Sequence, residues 1–241
     1  MNSFISSTSI NSISSGILIF SFNKTISRSF SFGYKNNLTP WDDKTESIWS
    51  QMLIKGIKGD KKNKRFNTIP VLETTWRTVK DYFPRARVLA GVPSTNSKSS
   101  LSFSKAPPDD NNNSGNNSSE NTPEFGEYVF GVIDNFNNVN VFRYSDFSNG
   151  PISKTINNEN YIVVGNQSKR FINAFKVGDF SAYEALGNDE LPYVIKNRNG
   201  VKYNMLGVGT DGSRLEQPKF AYVAIWRAWE DFYSKFNHIE K

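Results

Sequence analysis

The chain has no cysteine, and its single histidine, His238, stands three residues from the C-terminus. The first absence removes disulfides, thiolate nucleophiles, zinc ribbons and iron–sulfur ligation from the available chemistry. The second makes any Ser–His–Asp triad or histidine metal site depend on one near-terminal residue. Chain ends fray, so His238 is expected to be exposed and without a catalytic role. Long apolar runs are missing too. GILIF at 16–20, and even FAYVAIW at 220–226, are far short of the roughly 20 residues a transmembrane helix needs. No phosphate-cradling Gly loop, dinucleotide fingerprint or Gly-x-Ser-x-Gly elbow occurs. Gly207-x-Gly209-x-x-Gly212 has the dinucleotide spacing but precedes a short charged segment instead of a helix. Neither a metal nor a cofactor is expected. The remaining repertoire is carboxylates, Ser/Thr, Tyr, Lys and Arg.

What is present is aromatic and basic. With 19 Phe, 10 Tyr and 5 Trp in 241 residues, the chain has ample material for a core, which excludes global disorder. Residues 94–123 break this composition. They are Ser-, Asn- and Pro-rich with little to bury, and read as a disordered linker between a first unit, 1–93, and a second, 124–241. The two units are expected to form one compact domain. The net charge of +6 is concentrated in Lys55, Lys58, Lys61, Lys62, Lys64 and Arg65. That cluster reads either as a solvated loop or as an anion-binding or nucleic-acid-binding loop. No aromatic interleaves it, so base stacking is not its mode. The first 37 residues lack Asp and Glu, are Ser-rich and carry Lys24, Arg28 and Lys35. Residues 1–36 therefore fit a mitochondrial presequence, against a competing reading of 17–21 and 26–32 as strands around a turn.

The two units echo each other. Leu72, Trp76, Val79, Tyr82 and Phe83 recur 150 positions later as Tyr222, Trp226, Trp229, Phe232 and Tyr233, with Arg77 and Asp81 recurring as Arg227 and Asp231. Each set is expected to mark one face of a short amphipathic helix. Upstream, Ser47-Ile48-Trp49-Ser50-Gln51 has a looser counterpart in Val201-Lys202-Tyr203-Asn204-Met205, and a Gly-containing turn follows each. The pattern suggests a duplicated unit of strands, a Gly-rich turn, a strand and a helix. In the second unit, strands are expected at 128–133 and 139–144 around Asn137-Asn138, at 161–164 and 171–175, and near 193–196 and 201–206. Parallel βαβ alternation is absent. The expected class is α+β, predominantly antiparallel, with two pseudo-repeated units.

Trp41-Asp42-Asp43-Lys44-Thr45-Glu46-Ser47-Ile48-Trp49-Ser50-Gln51 resembles the Tyr-Asp-Arg-x-Thr-Gly-Ser-Leu-Trp-Ser-Gln segment of a largely bacterial family, domain of unknown function 3179. Further similarity lies in residues 69–76, in 83–89 and in Tyr222-Val223-Ala224-Ile225-Trp226-Arg227-Ala228-Trp229. The resemblance implies an uncharacterised protein. The family's Cys-Pro-Leu-Cys-Gly stands here as Ser12-Ile13-Ser14-Ser15-Gly16, and its upstream His-Glu segment has no counterpart. An N-terminally shortened member is therefore expected, and a protein partner that completes its sheet is compatible with that.

The candidate pocket residues are Asp42, Trp49, Ser50, Gln51, Glu73, Trp76, Arg77 and Arg227. Gln51 offers a donor and an acceptor, and Ser50 a hydroxyl. Glu73 could act as a general base if Asp42 or Asp43 supplied a second carboxylate. Its simpler role is to stabilise a helix N-terminus. Arg77–Asp81 and Arg227–Asp231 read as i,i+4 helix-surface ion pairs. Three functions follow, in order: a non-enzymatic binding or structural domain, a carboxylate-dependent hydrolase or sugar-active enzyme, and anion binding through 55–65.

Overall fold

The computed structural model describes residues 34–87, save Asn36, Leu38, Asp43 and Phe66, and residues 126–239, save Phe136 and Asn137. The strands expected at 17–21 and 26–32, the presequence reading of 1–36, the linker at 94–123, Asn137 and Asp43 lie outside the described residues.

In chain order the elements are β1 (Trp41–Asp42), β2 (Ser47–Ser50), β3 (Lys55–Lys58), α1 (Trp76–Tyr82), β4 (Tyr128–Asn135) and β5 (Asn138–Phe142). There follow β6 (Ile152–Ile156), β7 (Glu159–Asn166), β8 (Phe171–Val177), β9 (Tyr183–Ala185), β10 (Tyr193–Asn197) and β11 (Lys202–Asn204). Last come β12 (Ala221–Ile225), α2 (Trp226–Phe232) and β13 (Lys235–His238). They form four sheets, ordered β1-β2-β3, β12-β4-β5-β13, β6-β7-β8 and β11-β10-β9. Every pairing is antiparallel except β13 on β5. The class is α+β with mostly antiparallel sheet.

The period-2 geometry of a strand sorts successive residues into different cores. On β4 and β5, Val129, Ile133, Val139 and Val141 enter a core shared with α2 and the β2–β3 turn. The alternating Phe130, Val132 and Phe142 enter a second core against Val163, Ile172 and Ala174 of β7 and β8. The other face of β7 and β8 gives Ile162, Val164, Phe171 and Phe175 to a third core, with Val194, Ile195, Tyr203, Met205 and Leu72. Strands buried on both faces need a nearly continuous apolar run, as residues 161–164 provide and as 171–175 provide save for Asn173, whose side chain donates to Met205 O.

Several expectations are corrected. Residues 221–225 form strand β12, and α2 begins only at Trp226, so Tyr222 and Leu72 are not helical. The helix period was legible, but sheet pairing with β4 claimed the β-branched and aromatic residues before it. Residues 67–75 form no strand, although one was expected before α1. Tyr144 lies in a 3-10 helix, Tyr144–Asn149, and not in β5. His238 is not frayed. It closes β13, reaches Asp146 Oδ2 through Nε2 at 3.3 Å and stacks edge-on against Trp226.

The two helices begin 150 positions apart and each has seven residues. Two turns share a further pattern, Met52-Leu53-x-x-Gly56-x-x-Gly59 and Met205-Leu206-x-x-Gly209-x-x-Gly212. Met52 and Met205 are both fully buried, and φ is positive at Ile54 and Gly207 and again at Gly59 and Gly212. Each buried carbonyl is met by side chains. Tyr222 Oη and Tyr233 Oη donate to Met52 O, and Asn173 Nδ2 donates to Met205 O at 3.0 Å.

Candidate functional site

Lys55, Lys58, Lys61, Lys62, Lys64 and Arg65 fall on β3 and the turns after it, mostly exposed. The backbone there is fixed by Gly56 N donating to Lys64 O, Asn63 N to Gly56 O and Lys62 N to Gly59 O, at 2.8–3.0 Å. Lys61 N donates to the buried Ser47 Oγ, which ties the turn to β2. Gly59 sits at φ +84°, where an added Cβ would lie 2.3 Å from Glu46 O. Among the described residues, none of the five lysines takes part in an ion pair. Their charges are therefore held on an ordered hairpin and left open to solvent.

The candidate pocket residues do not converge. Asp42 is buried and committed to its own turn, accepting from Lys44 N at 3.0 Å and Thr45 Oγ1 at 2.6 Å. Trp49 is core, packed with Met52, Trp226 and Trp229. The buried Ser50 accepts from Leu53 N, and Gln51 offers its backbone carbonyl to Tyr222 Oη. Trp76 is half-buried at the start of α1. Arg227 pairs with Asp231 at 3.2 Å, whereas no ion pair joins Arg77 to Asp81, both of them exposed.

Glu73 is the exception, and its surroundings differ from those expected. The N-cap of α1 is Thr75, whose side chain accepts from Thr78 N, so Glu73 stands outside the helix and is no dipole partner. Thr74 Oγ1 and Thr78 Oγ1 both donate to Lys169 O, at 2.8 and 3.0 Å, clamping this segment onto the β7–β8 turn. Asn166 Oδ1 shapes that turn by accepting from Lys169 N. The next residue of that turn, Arg170, holds its guanidinium 5.7 Å from the centre of the Tyr144 ring. Burial pushes the Glu73 carboxyl up, and Arg170 draws it partly back. The Tyr128 and Tyr144 phenols are also pushed up, first by burial and then by the Glu73 charge. Sequence reasoning singled out Glu73 and missed its neighbours, because Tyr128, Tyr144 and Arg170 come from three distant segments.

A shallow cleft of ≈ 200 Å³ lies nearby between Phe147, Phe171, Leu186 and Leu191, with Asn166 and Asn188 hydrogen-bonded at its rim. It is smaller than the roughly 300–1,000 Å³ usual for small-molecule sites. Among the described residues no cluster of three or more His, Asp or Glu could hold a metal, and no helix is long and apolar enough to cross a membrane.

Fold and surface together define an α+β protein of mostly antiparallel sheets, with a basic hairpin on one sheet. The family model described as "Protein of unknown function (DUF3179)" matches residues 19–236, and the chain belongs to that family. No curated protein and no solved structure gives a significant match.

Proposed function

We propose that this chain is a non-enzymatic binding domain, built from two copies of one unit, that engages a polyanion through its 55–65 hairpin. The observation that carries this reading is the set of five lysines without ion pairs, fixed on a hydrogen-bonded backbone. A flexible charged loop would lose ordering entropy on binding, and an ordered one has already met that cost. Lysines are point charges, and no aromatic stands among them, so the chemistry suits contact with phosphate groups and not base stacking.

The test is fluorescence anisotropy with a labelled 20-base-pair DNA duplex across a salt series. Binding should weaken linearly in log–log form, with a slope of roughly −0.9 per phosphate contacted. Changing Lys58, Lys61, Lys62 and Lys64 to Gln should weaken binding at least ten-fold and flatten that slope. If the variant binds as the parent does, or the parent does not bind at low salt, the reading is wrong. A second reading, a hydrolase using Glu73, is favoured by the upward push on that carboxyl. Its mark would be turnover of a chromogenic glycoside or ester that Glu73→Gln abolishes.

A further inference from the structure

We propose that the cleft between Phe147, Phe171, Leu186 and Leu191 is a binding site for one neutral pyranose ring, with Asn188 and Ser148 meeting its hydroxyls. It is a second site, distinct from the basic hairpin, and goes beyond the polyanion reading.

The first support is that the cleft is preformed. Its walls come from four segments: the 3-10 helix Tyr144–Asn149, the end of β7, the start of β8 and residues 186–194. Backbone hydrogen bonds hold them. Gly150 N donates to Phe147 O at 3.2 Å, Leu186 N to Val194 O at 3.0 Å and Glu190 N to Gly187 O at 3.1 Å. The Phe147 ring lies over Gly165, where an added Cβ would meet Cδ2 at 2.5 Å. A strand glycine permits that close approach, and so lets the ring form a wall. A ligand finds these walls already ordered.

The second support is neutrality. The chain is 22% charged, yet no residue lining the cleft carries a charge. The charged residues next to the lining in sequence are engaged elsewhere or stand outside it. Asp146 accepts from Arg143 N, Arg170 sits over the Tyr144 ring and Glu190 pairs with Lys202. Asp189 is exposed and does not line the cleft. An ion entering here would lose water without gaining a counter-charge, so the ligand is uncharged.

The third support is the division of the lining into an apolar floor and a polar rim. Asn166 Nδ2 donates to Asn188 Oδ1 at 2.7 Å, while Asn166 Oδ1 accepts from Ser168 Oγ and Lys169 N at 2.8 and 2.9 Å. That network fixes both amides. It leaves Asn188 Nδ2 and the Ser148 hydroxyl, both at exposed positions, to bond water or a ligand. A hydroxyl both donates and accepts, so neighbouring sugar hydroxyls match an amide donor and a serine. The ring's C–H face matches Phe147, Leu186 and Leu191. At ≈ 200 Å³ the cleft has room for one ring and not for an oligosaccharide.

The experiment is an amide-resolved NMR titration of the full chain with glucose, galactose, mannose and N-acetylglucosamine at millimolar concentration. Glucuronate and glucosamine, which add a charge to the ring, and cyclohexanol, which lacks the hydroxyl rim, are the controls. At least one neutral sugar should shift the Gly150, Gly165 and Gly187 amides and bind at least ten-fold more tightly than every control. Asn188→Ala should weaken that binding at least ten-fold, and Ser148→Ala several-fold, with the melting temperature and the DNA titration unchanged. Methyl glycosides separate the two sources of such a ring: retained binding identifies the end of a glycan chain, and lost binding a free sugar. No shifts at these glycines with any neutral sugar, equal binding of a control, or full binding by Asn188→Ala would each overturn the assignment.

Discussion

Glu73 shows how one residue changes meaning between sequence and structure. A carboxylate just before a helix reads as a dipole partner, but Thr75 holds the cap and Glu73 lies outside the helix, half-buried. An acid whose folded pKa is raised binds its proton more tightly folded than unfolded, so its charged form costs stability. That cost is absent below the ordinary carboxylate value of 4.5 and fully present above the raised folded one. Glu73→Gln should therefore raise the melting temperature at pH 7, and the gain should vanish as pH falls through 4.5. A gain that persists at pH 3, or a loss at pH 7, would refute this. Gly131 is a second case, one that sequence periodicity could not reveal. The Trp229 indole lies on it, and an added Cβ would meet Cζ2 at 2.4 Å. Gly131→Ala should cost about 1–3 kcal/mol in urea unfolding, as overpacking of a fixed core does.

At the scale of elements, the basic hairpin and the two helices were legible to different degrees. The lysine cluster and its glycines could be read directly, because composition marks a turn. What could not be read was that the turn is pinned by Ser47 and by cross-loop backbone bonds, since these link residues up to 14 positions apart. Gly59→Ala should loosen the hairpin, because both its φ and the Glu46 carbonyl oppose a side chain. Limited trypsin digestion checks this: cleavage after Lys58, Lys61, Lys62 and Lys64 should accelerate several-fold while the core stays protected. The helices appeared at their expected spacing but began later than the apolar period suggested. In the second half, sheet pairing with β4 took residues 221–225. Short apolar runs fit either period, and tertiary contacts decide between them.

At the scale of the molecule, the first and second segments share cores. Trp49, Met52 and Ile54 pack with Trp226, Trp229 and Tyr233, while Leu72 packs with Phe171, Phe175 and Met205. Each turn thus sits against elements of the other segment. Leu72→Ala should cost about 2–5 kcal/mol and Trp49→Ala about 3–5, both lowering the midpoint of one common urea transition. Two separated transitions by near-UV circular dichroism would show instead that the segments fold independently.

The sequence by itself determined the chemistry denied to this protein, its mostly antiparallel α+β class, the spacing of its helices and the location of its charge. Composition and local period carry those properties, and both are functions of near neighbours. Only the tertiary structure decided that His238 is held against Asp146, that Asp42 is spent on its own turn, and that Thr74 and Thr78 clamp onto the Lys169 carbonyl. Those outcomes depend on which strands pair and which turns are clamped, through contacts between residues tens to hundreds of positions apart that no local pattern encodes.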